Sequence, residues 1–451
     1  MKMQFVVLCL IVSFWGKTQT LPDSRNQEII FKNISVIPMN TEGVWGKQTV
    51  VIKDGIIQKI GKKLSYSKEA LVIDGKGKFL MPGLADMHGH IPMGNNIESM
   101  QDALYLFAVN GVTTLRNMLG QAPHLEVRRK IQSGEMVGPR VYTAGAQFSG
   151  RDVKTEEAGI EQVKREKQAG YDVLKMKEGL SLANFKAIAK TAKEVGVPMG
   201  GHVPFQVGII NAAELGFSTV DHLDGIIPAL VPRLDTFTER EVGMFGMYVA
   251  HLADLSKLDN IFNILLKNNV WLVPTQSFGE HWQSPKRLVK DLMDFPEMKY
   301  MDKKTLENWS NMKGMFFKDS SYSLKNTEIY LKLRQKIVYE AQKKGVGIML
   351  GTDAAQVFSI PGFAVHRELI YLVEAGLTPY QALCTSTLNV GKYFKNDKIG
   401  VINTGANADL LLLNANPLKD IRATSAIDGV MLNGRWLSKT EIDNILKKLV
   451  K

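Results

Sequence analysis

Cysteine is scarce in this 451-residue chain, which has only Cys9 and Cys384. Cys9 lies inside an N-terminal apolar run, so a processed chain would keep Cys384 alone and could form no internal disulfide. Long hydrophobic runs are lacking too: the apolar run at residues 5–14 (FVVLCLIVSF) has ten residues, about half of what a membrane-spanning helix needs. Dense blocks of one charge are also missing. The net charge of +11 comes from 56 basic and 45 acidic residues, but the lysines are spread along the whole chain without aromatic interleaving. Nucleic-acid binding needs clustering and not just a surplus, so that class is set aside.

What is present begins with an address label. Lys2, the apolar run and the polar exit GKTQT have the layout of a secretory signal peptide over residues 1–20. The expectation is an exported protein, periplasmic or secreted, with no stable membrane insertion once the leader is removed; an uncleaved membrane anchor is the alternative.

Residues 28–80 read as short strands broken by turns, with Asp54-Gly55 and Asp74-Gly75 as hairpin signals. NADLLLLN and AIDGVMLNGRWL, near the other end, have the same texture. Neither piece has enough strands to bury a core alone. Residues 27–80 and 396–440 therefore predict one small composite β-sandwich built from both chain ends.

Residues 81–395 alternate short apolar runs with amphipathic stretches, the α/β pattern of a parallel sheet. Eight strands are predicted to end near His88, Asn117, Ala146, Met176, His202, Leu223, Pro274 and Thr352, with helices over 97–110, 156–169, 181–195, 258–267 and 330–344. Eight such units make a (β/α)₈ TIM barrel, whose active site lies at the C-terminal strand ends. The stretch 277–324 is long for a connection and rich in aromatics and Met, which predicts a helical cap over the pocket.

The strand end MPGLADMHGHI places His88 and His90 two residues apart and so on one face, with Gly89 leaving room between them. Four more candidate ligands end apolar, strand-like runs: Lys175 in YDVLKMK, His202 in VPMGGHV, His222 in STVDHLD and Asp353 in VGIMLGTDA. They close the first, fourth, fifth, sixth and eighth predicted strands, which points to one metal site at one end of the barrel.

MPGLADMHGH, the late GTDA, the EAGLTPYQAL that follows and the closing NADLLLLNANPLKDI resemble the amidohydrolase superfamily, more narrowly its imidazolonepropionase-like and prolidase-like branch, over residues 30–440. The resemblance implies a composite β-sandwich beside a metal-binding barrel. It also implies that His88 and His90 match the first-strand HxH, Lys175 the bridging lysine, His202 and His222 the fifth- and sixth-strand histidines, and Asp353 the final aspartate. One departure is TTLRNM, where Asn117 stands in place of the Asp of the family pattern.

The chemistry accounts for these residue types. Neutral imidazole and carboxylate suit Zn²⁺, and a catalytic site keeps a position open for water. An ammonium cannot ligate, so Lys175 would have to be N6-carboxylated by CO₂ to bridge two metals; one or two divalent ions are expected. Asp353 would move the proton from water to the leaving amine. Lys177, two residues on, competes with Lys175 for the bridge. Asp86 reads as an orienting group, His124 and His251 as structural or exposed, and His281, His366 and Arg367 as candidate substrate contacts at the pocket mouth. The reading is hydrolysis of an amide, cyclic amide or dipeptide C–N bond, with a prolidase-like metallodipeptidase as the narrower alternative. A catalytically inactive binding protein of the same fold is the alternative of another class, but it should have lost ligands, and all six are here. The expected partner is a small molecule or dipeptide, and a homo-oligomer is compatible with the chain.

Overall fold

The computed structural model describes residues 24–451, and the expected signal peptide lies outside them. Five short strands come first: β1 (Ile29–Val36), β2 (Trp45–Lys53), β3 (Ile56–Gly61), β4 (Leu71–Asp74) and β5 (Phe79–Pro82). Seven parallel barrel strands follow: β6 (Leu84–Gly89), β7 (Val112–Asn117), β8 (Arg140–Thr143), β9 (Leu174–Met176), β10 (Met199–Gly201), β11 (Phe217–Asp221) and β12 (Trp271–Val273). The chain closes with β13 (Leu410–Leu413), β14 (Ile427–Leu432) and β15 (Arg435–Ser438).

Both chain ends share one hydrogen-bonded sheet of eight strands, in the order β15-β14-β13-β5-β1-β2-β3 with β4 also paired to β1. Strand alternation explains how this sheet serves two cores. Leu410 and Leu412 of β13 point into the sheet's own core with Ile29, Phe31 and Trp436, whereas Leu411 and Leu413 pack into the barrel's outer layer. Phe31 and Trp436 meet edge to face at 5.2 Å. Gly111 sits under this junction with φ +79°, where a Cβ would come within 2.7 Å of Leu411 Cδ1. Glycine is needed there for both its backbone angle and its size.

The barrel is two arcs, β6-β7-β8 and β9-β10-β11-β12, joined at two seams. Past β8 the chain continues as bridges, Ala144 to Val173 and Phe148 to Met176. The eighth position, 347–350, is a single bridge from Ile348 to Leu272 and not a regular strand. It still bonds both neighbours, Met349 N–H donating to the Leu272 carbonyl of β12 and the Leu350 carbonyl accepting from Met87 N–H of β6, each at 2.8 Å, but Leu350 N–H is diverted to the Thr385 carbonyl at 2.9 Å.

The outer helices follow their local signals. Glu156–Ala169 and Leu182–Val195 are each opened by a capping hydroxyl (Thr155, Ser181) and stopped by a left-handed glycine (Gly170, Gly196). The helix over 324–344 starts six residues before the predicted 330, because Ser323 caps it. The stretch predicted as a cap is helical, with Gln276–Trp282, Val289–Met293 and Lys303–Lys318. Among the described residues no helix is long and apolar enough to cross a membrane.

Candidate metal centre

The first strand sets the frame. Asp86 Oδ1 accepts from the backbone N–H groups of His88 (3.2 Å) and Thr352 (3.1 Å), and its Oδ2 from the Thr352 hydroxyl (2.5 Å). It thereby ties the first strand end to the eighth and fixes the spacing of His88 and Asp353. Burial pushes the Asp86 carboxyl up to about 6, against the pull of these hydrogen bonds.

His88 is at the centre. Its Nε2 lies 3.3 Å from Asp353 Oδ1 and 3.3 Å from Lys175 Nζ, and its ring is 4.6 Å from that of His222. His90 Nε2 lies 2.7 Å from the same Asp353 oxygen. The ring of His202 is 4.8 Å from that of His222. Ligating atoms of His88, His222 and Asp353 all lie within 4.8 Å of one another. The residues that end the first, fourth, fifth, sixth and eighth barrel positions thus meet in one place. The glycine between the two first-strand histidines has a different cause from the one expected: a Cβ at Gly89 would come 2.8 Å from Leu115 Cδ1, so packing against the next strand requires it.

Several orienting groups stand behind these side chains. Asp221 Oδ2 lies 2.8 Å from His88 Nδ1, and its Oδ1 accepts from Arg116 at 3.2 Å. Arg116, almost fully buried in β7, also donates to the Met87 carbonyl (2.5 Å) and the Thr219 hydroxyl (3.1 Å). Asp224 Oδ2 lies 3.3 Å from His202 Nδ1, and Thr275 Oγ1 lies 2.8 Å from His222 Nδ1. His88, His202 and His222 therefore each have one nitrogen engaged behind, the usual arrangement for histidine ligands, and the other nitrogen of His202 faces Lys177 Nζ at 3.5 Å.

Asn117, the departure from the family pattern, touches none of these rings. Its carbonyl accepts from Ile91 N–H (2.9 Å), and its amide nitrogen shares two hydrogens among Leu119 O (2.9 Å), His124 Nδ1 (3.0 Å) and Thr143 Oγ1 (2.9 Å). An aspartate could not make those donations. His124 is accordingly a buried structural residue, and His251 is exposed.

The electrostatics suit cation binding. Burial holds His202 and His222 far below the ordinary histidine value, with Lys175 (for His202) and His88 (for His222) adding to it, so both rings are neutral. For Asp353, burial would raise the carboxyl, but His88 and His90 outweigh it and hold it well below the ordinary range. For Asp221, burial is likewise outweighed, chiefly by Arg116 and His88. Burial pushes Lys175 down to about 8, although Asp221 and Asp353 pull the other way. Neutral imidazoles and an ionised carboxylate around one small space form a donor set that fits a divalent metal.

Two cavities flank the cluster. One, of about 690 Å³, begins at His202 and Lys177 and is walled by Val203, Phe205, Ile209, Val242 and Phe245, with Arg240 also lining it. Phe245 lies over the site, its ring 5.0 Å from His222 and 5.8 Å from His202. The other, of about 390 Å³, begins at His90 and Gln356 and runs past Met93, Tyr300 and Leu449.

The three candidate substrate contacts lie elsewhere, and none of them lines either cavity. His281 is fully buried inside the cap, with Nδ1 3.3 Å from Ser359 Oγ. His366 bonds Thr424 Oγ1 at 3.0 Å, on the side of its helix that packs against the C-terminal segment. Arg367 pairs with Glu297 at 2.6 Å and stacks on Phe295. The helix Phe363–Glu374 uses these side chains for packing and not for the pocket mouth. Lys177 lies beyond β9, with Nζ 3.5 Å from His202 Nε2 and 3.0 Å from Glu178.

Over 427 aligned residues the chain is 25% identical to an ochratoxinase of Aspergillus niger, covering 83% of this chain and 78% of that one. Its fold is similar to that of a Xaa-Pro dipeptidase (TM-score 0.68, 20% identity, 91% of this chain and 100% of that one). It is also similar to that of a bottromycin amidohydrolase (TM-score 0.72, 17% identity, 94% and 90%). The model of the amidohydrolase family matches residues 79–437, from the last strand before the barrel to the last strand of the end sheet, and the chain belongs to that family.

Proposed function

We propose that this amidohydrolase uses one or two zinc ions, held by His88, His90, Lys175, His202, His222 and Asp353, to hydrolyse an amide, cyclic amide or dipeptide C–N bond. The observation that carries the reading is the convergence of Asp353 Oδ1 on His90 (2.7 Å) and His88 (3.3 Å) beside Lys175. These side chains come from distant parts of the chain and meet between two cavities, one lined by His202 and the other by His90.

A bound divalent ion would supply Lewis acidity to the substrate carbonyl and to water. The protein's own residues do the rest. His90 and Gln356 hold Asp353 Oδ1, at 2.7 and 3.2 Å, which leaves Oδ2 to take the proton from the attacking water and return it to the leaving nitrogen. Asp221, Asp224 and Thr275 keep the imidazoles turned toward the site, and Phe245 excludes bulk water from above them. Lys175, as a carbamate, would offer two oxygens where its ammonium offers none. The chain is proposed to act after export, as its N-terminal sequence suggests.

The dipeptidase reading is favoured by the larger cavity, where apolar walls stand beside the cations Lys177 and Arg240 and the carboxyl groups of Glu178, Asp224 and Glu239. That mixture suits an apolar dipeptide, with its free carboxylate toward a cation and its free amine toward a carboxyl group. Lys177→Ala should therefore lower kcat/KM for carboxylate-bearing amides by roughly tenfold or more, the scale of one lost charge-assisted contact. Metal content and turnover of uncharged amides should change little.

The test of the function is a screen of Xaa-Pro dipeptides, N-acyl amino acids and cyclic amides with metal-loaded enzyme. At least one class should be hydrolysed, and a chelator should abolish the activity. Absence of turnover on all three classes would sink the proposal.

A further inference from the structure

Arg334 lies on the helix Leu324–Lys344 and is only 2% exposed. A buried guanidinium is usually neutralised by a carboxylate, but this one spends most of its donors on backbone at two strand ends, with Nη1 also reaching the Tyr330 hydroxyl at 3.3 Å. Nη1 donates to the His222 carbonyl at 2.7 Å, Nη2 to the carbonyls of Pro274 (2.6 Å) and Thr275 (3.5 Å), and Nε to Gln276 Oε1 at 3.0 Å. The segment beyond Thr275 is held from its other side by Glu368, which accepts from Gln276 N–H (2.8 Å) and Ser277 N–H (2.6 Å).

The backbone it grips is strained. His222 (φ +62°), Leu223 (φ +60°) and Thr275 (φ +47°) all occupy the left-handed region, which non-glycine residues adopt only where their surroundings over-determine it. The two gripped corners also meet through their side chains, since Thr275 Oγ1 lies 2.8 Å from His222 Nδ1. One guanidinium thus holds both the residue that bears the imidazole and the residue that orients it.

From this we infer that Arg334 is a positioning residue for the metal centre, setting the direction of His222 Nε2 by locking the 222–223 and 274–275 corners together. The inference rests on the reading of His222 as a metal ligand and adds to it a residue that touches neither metal nor substrate. A guanidinium is suited to this because its fork reaches several carbonyls in one plane, whereas an ammonium is a compact point charge on a flexible stem.

The test uses the full chain, loaded with zinc or, as a spectroscopic probe, with cobalt(II). Arg334→Met, Arg334→Lys and Thr275→Val are compared by chelator competition for zinc affinity, by the visible absorption of the cobalt form and by the melting temperature of the metal-free form. Arg334→Met should bind zinc ten- to a hundredfold more weakly, the range for loss of an orienting partner, and should shift the cobalt bands. Arg334→Lys should recover part of both. In the double variant with Thr275→Val the loss should fall short of the product of the two single losses, because both act through one imidazole. Where Arg334→Met does not fold, Arg334→Lys combined with Thr275→Val decides the question. Unchanged affinity and spectrum with a lowered melting temperature would make Arg334 a structural staple and overturn the inference, as would fully multiplicative losses. Failure of the wild type to bind either metal would instead overturn the metal reading itself.

Discussion

Lys175→Ala should cost two to four orders of magnitude in kcat, roughly the scale of losing a group that acts only in the assembled site. It should also lower metal occupancy. Lys175 Nζ lies 3.3 Å from His88 Nε2 and 3.9 Å from Asp221 Oδ2, enclosed by the groups expected to surround a cation. An unmodified ammonium there would repel a metal, so the proposed metal site needs Lys175 as a carbamate, an anion with two oxygens. Formate or acetate should restore part of both metal and turnover in Lys175→Ala by filling the vacated bridge. Lys177, whose Nζ is directed to His202 and Glu178, should have no such effect on metal content. The measurement is metal analysis and kcat for both variants, with and without added carboxylate. Normal turnover in Lys175→Ala, with the loss transferred to Lys177→Ala, would place the bridge on the other lysine.

Asp353→Asn should separate holding the metal from moving the proton. Asparagine keeps the size and one ligating oxygen but cannot accept a proton, so metal and fold should be retained while kcat falls by roughly a hundredfold or more. The loss should fall on kcat rather than KM, because the proton is moved in the transition state. The pH dependence follows from the environment of the carboxyl. Burial alone would raise it, but His88 and His90 hold it well below the ordinary range. A depressed carboxyl is ionised above its pKa and loses that form only as pH falls through it, so Asp353 is ionised across roughly pH 5 to 9. The deficit of Asp353→Asn should therefore be nearly uniform over that window, and a pH-rate profile with metal analysis on the same preparation reads it. Near-normal turnover with intact metal would assign the proton to another group.

The residues that end strands are legible in the sequence because period-two alternation and apolar runs are local. His88, His90, Lys175, His202, His222 and Asp353 can each be picked out that way. The groups behind them cannot. Alternation predicts that Asp221 and His222, being adjacent, point to opposite faces. The chain instead turns left-handed at His222 and Leu223, and both side chains reach His88, Asp221 at 2.8 Å and His222 ring to ring at 4.6 Å. The one available signal was Arg116, the only charge in the strand VTTLRN, which implies a buried anion somewhere as its partner. Its partner is Asp221, 105 residues later, a distance over which no local pattern carries. The opposite error concerns His366 and Arg367, which are close to Asp353 in sequence but take their partners from Thr424 and Glu297. Nearness along the chain was the only argument for them, and helix packing overrides it. The eighth barrel strand was overdrawn for a similar reason, since the diversion of Leu350 to Thr385 is a tertiary event.

On the proposed function, these six side chains form one metal cage on which activity depends. Its most direct test is elemental analysis of protein purified without chelator, followed by activity on the best amide substrate after chelation and after zinc is returned. Between one and two zinc-like ions per chain are expected, roughly the capacity of such a cage, with activity lost on chelation and regained with zinc. A folded, metal-free preparation that hydrolyses the amide at full rate would contradict it.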